Sequence, residues 1–381
     1  SLITTDLFIQ AYLQRFAPIV FWGTAISIKI FTLISVHQAR SWKDALIRKR
    51  RQILYILLVL FISAVVFKVS TYRITRWDKL PDAAYGIIEG RPHWRAYSNR
   101  LLGPYSVYFI SQLGGISFEK SLEIFYFLLL SAQNLILFSL ISSDTRHSYQ
   151  KGLESTIYHS FLFISMQDYY SYTWDYIDLL VFTLFAWGIL KNKSTIYFVF
   201  LFFIELSNRE IAILIAFYLM LDSFRLFEGI LESRPKIQLT PIDRTKFFIG
   251  SGLLVAGAAY IKIIRDVLFI ESSLGHVGDD VEHLLIGNHF QLWDNIRSLF
   301  IDNFSSMNFI NSLFIFAILV YFLAVLPKFD QRLFKTFIIL LSILVSILVF
   351  GLINETRMFI LTIPFLLLMQ LELGNRKNEL T

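Results

Sequence analysis

The chain of 381 residues contains no cysteine. Disulfide bonds, thiol nucleophiles and zinc–thiolate sites are therefore excluded. Charged residues are also few, since they make up 17% of the chain against about 25% in an average soluble protein. Phosphate-binding glycine loops and nucleotide fingerprints are missing as well, because Gly114-Gly115 and Gly250-Ser-Gly252 are isolated pairs in apolar context. No local spacing supplies a Ser–His–Asp nucleophile set.

Long hydrophobic runs dominate what remains. Hydrophobic residues form 55% of the chain, and the mean hydropathy is +0.58. The runs are continuous and lack the alternation of a membrane β-barrel. They lie at residues 17–36, 52–68, 119–142, 154–167, 177–190, 195–207, 211–224, 247–263, 309–326, 336–353 and 358–372. We therefore predict an all-α, polytopic integral membrane protein. It would form a single transmembrane domain over residues 1–381 with about 11 transmembrane helices, or roughly 9 to 13.

Basic residues set the predicted orientation of this domain. Residues 38–51 carry six lysines and arginines, so the positive-inside rule places them in the cytoplasm. Basic loops of this kind account for the net charge of +6, and nothing points to nucleic acid as a partner. Alternation from that loop places the unusual polar motifs on one, extracytoplasmic side, as a shared pocket requires. These motifs are residues 78–105, 168–178, 207–210, 264–305 and 354–357.

The first large extracytoplasmic loop, residues 69–105, combines carboxylates with basic side chains. Asp82 and Asp78 are candidate general bases toward a hydroxyl acceptor. Asp82 and Tyr85 would face one way on a short helix. The candidates for holding a lipid phosphate or pyrophosphate are Arg91, His93, Arg95 and Arg100. The alternative is a solvated loop that only joins two helices. The apolar residues 101–115 form either a half-helix or the start of the next span.

Residues 168–178 alternate tyrosine and tryptophan with three carboxylates. Two interpretations explain these rings equally well. They form either an aromatic belt at the membrane interface or a platform on which a sugar stacks. In the second interpretation Trp174 contacts the sugar, and carboxylates accept hydrogen bonds from its hydroxyls. The acidic candidates are Asp168, Asp175 and Asp178.

Two helix junctions carry paired charges. Glu205, Asn208, Arg209 and Glu210 interrupt one apolar hairpin, and a carboxyl at the position of Glu205 lies within the hydrocarbon, where it is costly unless paired or functional. Glu355 and Arg357, after Asn354, repeat the theme at a later junction. The functional hypothesis makes these side chains substrate contacts, whereas the structural alternative makes each Glu–Arg pair a tie between helix ends.

The second extracytoplasmic segment, residues 264–305, is rich in histidine and acids. Asp279 and His283 have the spacing of a metal-ligating pair on one helical face. No metal motif is completed, and a solvated loop explains the segment equally well. Residues 291–300 are amphipathic, which predicts a helix along the membrane interface.

The combined pattern resembles the membrane-embedded C-type glycosyltransferases, the GT-C superfamily. The stretch PDAAYGIIEGRPHWRAYSNRLLGPY, residues 81–105, resembles the loop in bacterial members where Asp and Tyr precede an aromatic–Arg–Leu–Pro run. NREIAI, residues 208–213, and NETRMFILTIPF, residues 354–365, resemble later motifs in which a Glu or Arg at a helix end meets the substrate. This resemblance implies many transmembrane helices and an acidic catalytic residue in the first extracytoplasmic loop. Asp82 is the leading candidate and Asp78 the second, while Arg95 and Arg100 would face the donor phosphate.

The resemblance implies a transferase of cell-envelope polysaccharide biosynthesis in the cytoplasmic (inner) membrane of a bacterium. A sugar would pass from a polyprenyl-phosphate donor, entering from the membrane lipids, to a glycan, lipid or protein acceptor, with inversion. Glu210 is a further catalytic candidate. We assign no metal ligand, and a divalent metal such as Mg²⁺ or Mn²⁺, if the reaction needs one, would lie in the histidine-rich segment. The alternatives are an O-antigen-type polysaccharide polymerase or ligase and a transporter or non-catalytic subunit of a membrane complex.

Overall fold

A computed structural model describes residues 42–74, 77–92, 97–143, 148–167, 171–224, 243–268, 290–298, 308–326, 329–351 and 355–379. The predicted span at 17–36 and the candidate metal pair Asp279 and His283 lie outside these ranges. By compactness the chain divides into two units, residues 1–55 and 56–381. Of the first unit the structure describes only the beginning of one helix. Everything below concerns the second unit.

The described residues form helices and connections and contain no β-strand, which confirms the all-α prediction. Three short 3₁₀ helices, Trp77–Lys79, Glu210–Ala212 and Thr356–Thr362, accompany the α-helices. The α-helices are α1 (Trp42–Arg73), α2 (Leu80–Ile88), α3 (Leu102–Gly114), α4 (Phe118–Ser142), α5 (Tyr149–Met166), α6 (Thr173–Leu190), α7 (Thr195–Asn208), α8 (Ile213–Asp222), α9 (Arg244–Leu268), α10 (Leu292–Arg297), α11 (Asn308–Val325), α12 (Gln331–Phe350) and α13 (Ile363–Glu379).

Six stretches of helix in the described part are long and apolar enough to cross a membrane. They are Arg50–Arg73, Phe118–Ser142, Thr173–Leu190, Arg244–Ile264, Gln331–Phe350 and Thr356–Gly374. Each apolar run predicted from residue 52 onward coincides with a helix, but the count of about 11 spans is not confirmed. Helix α7 has 14 residues and α8 has 10, so they are about 21 and 15 Å long. Both are shorter than the hydrocarbon core of a membrane, which is about 30 Å thick.

Local signals set several helix ends. The side chains of Ser117 and Ser148 accept hydrogen bonds from backbone N–H groups three residues later, and so cap α4 and α5. Asp330 caps α12 in the same way. Gly115 ends α3 in the left-handed conformation, with φ of 58°, which glycine adopts without steric cost. Residues 102–114 therefore form a separate helix rather than the start of the next span.

Helix α6 lies at the centre of the described unit. Almost all of its side chains are buried. Phe182 packs at a tilt against Phe365, and Phe185 packs edge-on against Phe365, Phe198 and Tyr218. The helix has 18 residues and is therefore about 27 Å long. Polar groups gather at both of its ends.

The C-terminal end of α6 lies among basic residues. Arg332 donates to the carbonyl oxygen of Leu190, the last residue of α6, at 3.2 Å. Lys335 lies near Arg332 on α12, and its Nζ lies 2.7 Å from Oδ1 of Asp222. The Nζ of Lys246 lies 2.6 Å from the other carboxylate oxygen of Asp222. The C-terminal ends of α6 and α8 and the N-terminal ends of α9 and α12 thus meet on one side.

Candidate functional site

The opposite end of α6 gathers four of the five polar motifs singled out in the sequence. The end of the first loop joins this region when the N–H of Leu101 donates to the carbonyl of Ser207 at 3.0 Å. We call the ionisable side chains assembled here the charged cluster. Its members are Arg100, Asp175, Asp178, Glu205, Arg209, Glu210, Glu355 and Arg357.

Asp175 and Asp178 project from the first turns of α6, one turn apart and on the same face of the helix. The carboxylate of Asp175 accepts a hydrogen bond from the N–H of Tyr172 at 2.8 Å. This contact caps the helix, and the positive end of the helix dipole favours a negative charge there. Both side chains are buried.

Arg209 binds both of these carboxylates. Its Nη1 lies 2.8 Å from Oδ2 of Asp178 and 3.5 Å from Oδ1 of Asp175. Asn208 donates to the other oxygen of Asp178 at 2.6 Å and to the carbonyl of Trp174 at 3.1 Å. Burial alone lowers the pKa of Arg209, but the charges of Asp178, Asp175 and Glu210 outweigh it and raise the pKa above its usual range. Arg209 is therefore a permanent cation.

Arg357 joins the last polar motif to α6. Its Nη1 lies 3.1 Å from Oδ2 of Asp175, and its Nη2 lies 2.8 Å from Oε2 of Glu355. The guanidinium also lies over the ring of Tyr172, 4.8 Å from its centre. Asp175 is thus shared between two arginines that come from distant parts of the chain.

Arg100 and Asn99 hold Glu210. Each donates to one carboxylate oxygen at 3.3 Å, and the Arg100 guanidinium stacks over Tyr97 and Trp174 at 4.2 and 4.8 Å. Burial lowers the pKa of Arg100, and the charge of Glu210 partly offsets this effect. The side chain of Glu210 is 37% exposed, so its carboxylate is the part of this contact that solvent or a substrate reaches.

The ion pairs change the interpretation of the arginines. Arg100 was a candidate for holding the donor phosphate, and Arg209 and Arg357 were candidates for contacting the substrate, yet each binds at least one carboxylate of the chain. The geometry is that of the structural alternative, in which Glu–Arg and Asp–Arg pairs tie helix ends together. Buried pairs of this kind need both partners, because removing one leaves an uncompensated charge.

The aromatic residues of this region also differ from expectation. Trp174 has no exposed surface, whereas both an interfacial belt and a sugar-stacking platform require an exposed ring. It stacks on Tyr172 with ring centres 4.4 Å apart and lies 5.0 Å from Tyr97. The three rings therefore form an aromatic cluster beside Arg100, in which Trp174 is buried and Tyr97 and Tyr172 are partly exposed.

The side chains of Asp82, Tyr85 and Asp78 are exposed, and none of the described ion pairs joins them to the charged cluster. Helix α2 buries Leu80, Ala83, Ala84 and Ile87, which leaves Asp82 and Tyr85 together on its outer face, as their spacing predicted. Tyr85 packs edge-on against Phe118 with ring centres 5.2 Å apart. Asp78 contacts Lys79 at 3.9 Å with both side chains largely exposed, so this pair contributes little.

Arg91 follows a tight turn after α2 and is exposed. The turn passes through Gly90, with φ of 73°, and the N–H of Arg91 returns to the carbonyl of Gly86 at 2.7 Å. A side chain at Gly86 would lie 2.7 Å from the carbonyl oxygen of Arg91. His93, Arg95 and Asp168 lie outside the described residues.

Sequence reasoning missed part of this site. Tyr97 and Asn99 carried no signal of their own, although Asn99 precedes a residue that did. In the part of the chain that the structure describes, no three His, Asp or Glu side chains are arranged to hold a metal ion. Comparison with known proteins found no matching family model, no matching curated protein and no matching solved structure.

Proposed function

We propose that this chain is a membrane glycosyltransferase of the GT-C type, with about 11 transmembrane helices. It moves a sugar from a polyprenyl-phosphate donor to a glycan, lipid or protein acceptor. It acts at the extracytoplasmic face of a bacterial inner membrane, in cell-envelope polysaccharide biosynthesis. The resemblance of residues 81–105 to the catalytic loop of that superfamily is the basis of the proposal.

The observation that carries the proposal is the placement of Asp82. Its carboxylate is exposed on α2, whereas the end of the same loop is anchored through Arg100 and Asn99 to Glu210. An exposed carboxylate on a helix is what a general base requires, since the base must reach a proton on a bound acceptor.

In the proposed reaction Asp82 accepts the proton of the acceptor hydroxyl. The acceptor oxygen forms a bond to the anomeric carbon of the sugar while the bond from that carbon to the phosphate oxygen breaks. The electron pair of the broken bond leaves with polyprenyl phosphate. One carboxylate and direct displacement give inversion at the anomeric carbon. Asp78, on the preceding turn, and the half-exposed Glu210 are the alternative bases.

In this proposal the donor phosphate binds to basic side chains of the first loop. Arg91 is exposed beside α2, and His93 and Arg95 follow it in the sequence. Arg100, by contrast, would have to leave Glu210 before it could bind a phosphate. No step is assigned to Mg²⁺ or Mn²⁺, because no group of ligands for either ion is found among the described side chains.

The test is sugar transfer by purified protein in lipid, with a panel of polyprenyl-phosphate sugars as donors. We expect Asp82→Asn to lose at least about 100-fold in turnover, the size of effect that a general base supplies. Its melting temperature should equal that of the native chain, because the side chain is exposed. Asp294→Asn, an exposed Asp→Asn change in α10, is the matched control and should retain turnover.

The outcomes separate the hypotheses. Full turnover in Asp82→Asn would keep the enzyme class and move the base to Asp78 or Glu210. Absence of transfer with every donor would contradict the glycosyltransferase proposal. The mutual pairing of the arginines with Asp175, Asp178, Glu210 and Glu355 favours a non-catalytic subunit of a membrane complex as the next candidate, because such pairs tie helix ends together without a substrate.

A further inference from the structure

Glu205 differs from the other carboxyl groups of the charged cluster. Its side chain has no exposed surface, and in the described part of the chain its polar neighbours are Asp178 and Asn208, with no basic side chain in an ion pair with it. The other four acids, Asp175, Asp178, Glu210 and Glu355, each lie within 3.3 Å of an arginine nitrogen. A buried acid without such a partner requires a separate explanation.

Among the described residues, the buried basic groups near Glu205 are already bound to other carboxylates. It lies one turn before Asn208 and Arg209 and interacts with Asp178 and Arg209. Arg209 already binds Asp178 and Asp175. Among the described side chains of the other elements next to α7, the charged groups toward this end are Arg100, which precedes α3, Glu210, which precedes α8, and Lys262 of α9. Arg100 and Glu210 bind each other, and Lys262 is exposed.

We propose that Glu205 is a proton-binding site, in which one proton keeps the side chain a neutral carboxylic acid while Asp178 remains ionised. An unpaired carboxylate in an apolar interior is so unfavourable that the group takes up a proton instead. A second negative charge beside Asp178 adds like-charge repulsion. Asp178 keeps its charge because Arg209 and Asn208 bind both of its oxygens.

The same geometry gives the proton a role. Glu205 can release it when a cation takes its place, and Arg209 is a cation that already interacts with both acids. If Arg209 shifts from Asp178 toward Glu205, Glu205 loses its proton and becomes the charged partner of Arg209. The proton passes to Asp178 or to solvent, so proton transfer is coupled to movement at the junction of α7 and α8. This inference does not depend on glycosyl transfer.

The first test is infrared spectroscopy of the full chain in lipid between pH 5 and pH 8. A protonated carboxyl group shows a C=O stretch that a carboxylate lacks and that shifts in heavy water. We expect such a band to persist at pH 8 in the native chain and in Glu119→Gln, whose residue is exposed, and to be absent from Glu205→Gln. A difference spectrum that shows loss of a carboxylate band on Glu205→Gln would overturn the proposal.

The second test is thermal unfolding of the same variants at pH 7. Glutamine has nearly the same shape as a neutral glutamic acid and carries no charge, so Glu205→Gln should unfold within a few degrees of the native chain. Failure of this variant to fold, or a much lower melting temperature, would contradict a neutral Glu205. A sodium-dependent rise in melting temperature at constant ionic strength, lost in Glu205→Gln, would show that the site takes Na⁺ rather than a proton.

Discussion

Arg357 shows at the scale of a single residue how the charged cluster is held together. Its guanidinium bridges Asp175 and Glu355 and lies over Tyr172, and its side chain is almost fully buried. A planar guanidinium can serve two carboxylates at once, whereas a lysine ammonium is a point charge without that geometry. The contribution of Arg357 is therefore specific to arginine.

We predict that Arg357→Met lowers the free energy of unfolding by about 3–5 kcal/mol, the usual cost of breaking a buried ion pair by removing one partner. Arg357→Lys should fall between this variant and the native chain. Chemical denaturation in a mild detergent measures both. Arg91→Met is the control, since its side chain is exposed and its loss should leave stability unchanged; equal stability of Arg357→Met and Arg91→Met would show that the pairing is dispensable.

The sequence indicated which residues would gather but not how they would pair. Arg357 and Asp175 are 182 positions apart, and alternation of helices places both on one side of the membrane without bringing any two atoms into contact. The sequence therefore predicts Arg100 as a ligand for a lipid phosphate and leaves Arg357 as either a substrate contact or a tie between helix ends. Their pairing depends on the packing of α6 against α7 and the 3₁₀ turn at 356–362, which no local pattern encodes.

At the scale of elements, α3 anchors the first loop by packing closely on the start of α6. Gly103 makes this approach possible, because a Cβ there would lie 2.5 Å from Oγ1 and 2.7 Å from Cβ of Thr173. Real Cβ atoms do not approach so closely, so any larger residue must push the two helices apart. The loop end that carries Arg100 precedes Gly103 by one turn and would move with it.

We predict that Gly103→Ala lowers the free energy of unfolding by about 1–3 kcal/mol, the usual cost of overpacking. Gly252→Ala is the matched control in α9, where a Cβ meets no atom within 4 Å. That change should leave stability unchanged or raise it by about 0.5–1 kcal/mol, because alanine favours a helix. Thermal unfolding of both variants decides the matter, and equal destabilisation would mean that the two helices do not pack as described.

Helix positions were the most predictable elements, because each long apolar run requires a helix to satisfy its backbone in lipid. The outer-face pairing of Asp82 and Tyr85 was predictable for the same kind of reason, since helical periodicity alone determines it. The number of spans was not predictable. Helices such as α7 and α8 are too short to cross unaided, and whether they cross depends on the polar junction between them.

At the scale of the whole second unit, two layers of charged side chains lie at the opposite ends of α6. Asp175 and Asp178 lie at one end of α6, and the contact of Arg332 with Leu190 lies at the other. The helix length of about 27 Å separates the layers by nearly the thickness of the hydrocarbon core, about 30 Å. One layer holds the charged cluster, whereas the other is built around Lys246, Lys335 and Asp222.

This arrangement predicts that Asp78 and Ser194 lie on opposite sides of the membrane. Both side chains are exposed, Asp78 next to the cluster end and Ser194 after the end of α6. The native chain contains no cysteine, so Asp78→Cys and Ser194→Cys each supply a single thiol without further engineering. In intact cells a membrane-impermeant thiol reagent should label Asp78→Cys, and it should label Ser194→Cys only after the membrane is permeabilised.

The native chain should remain unlabelled in both conditions, which controls for reaction at other groups. Labelling of both variants in intact cells would place the two layers on one side and contradict a membrane-crossing α6. Labelling of Ser194→Cys alone would keep the crossing and invert the orientation. The charged cluster and Asp82 would then face the cytoplasm, where the positive-inside rule places the basic layer instead, and the donor would have to be presented from that side.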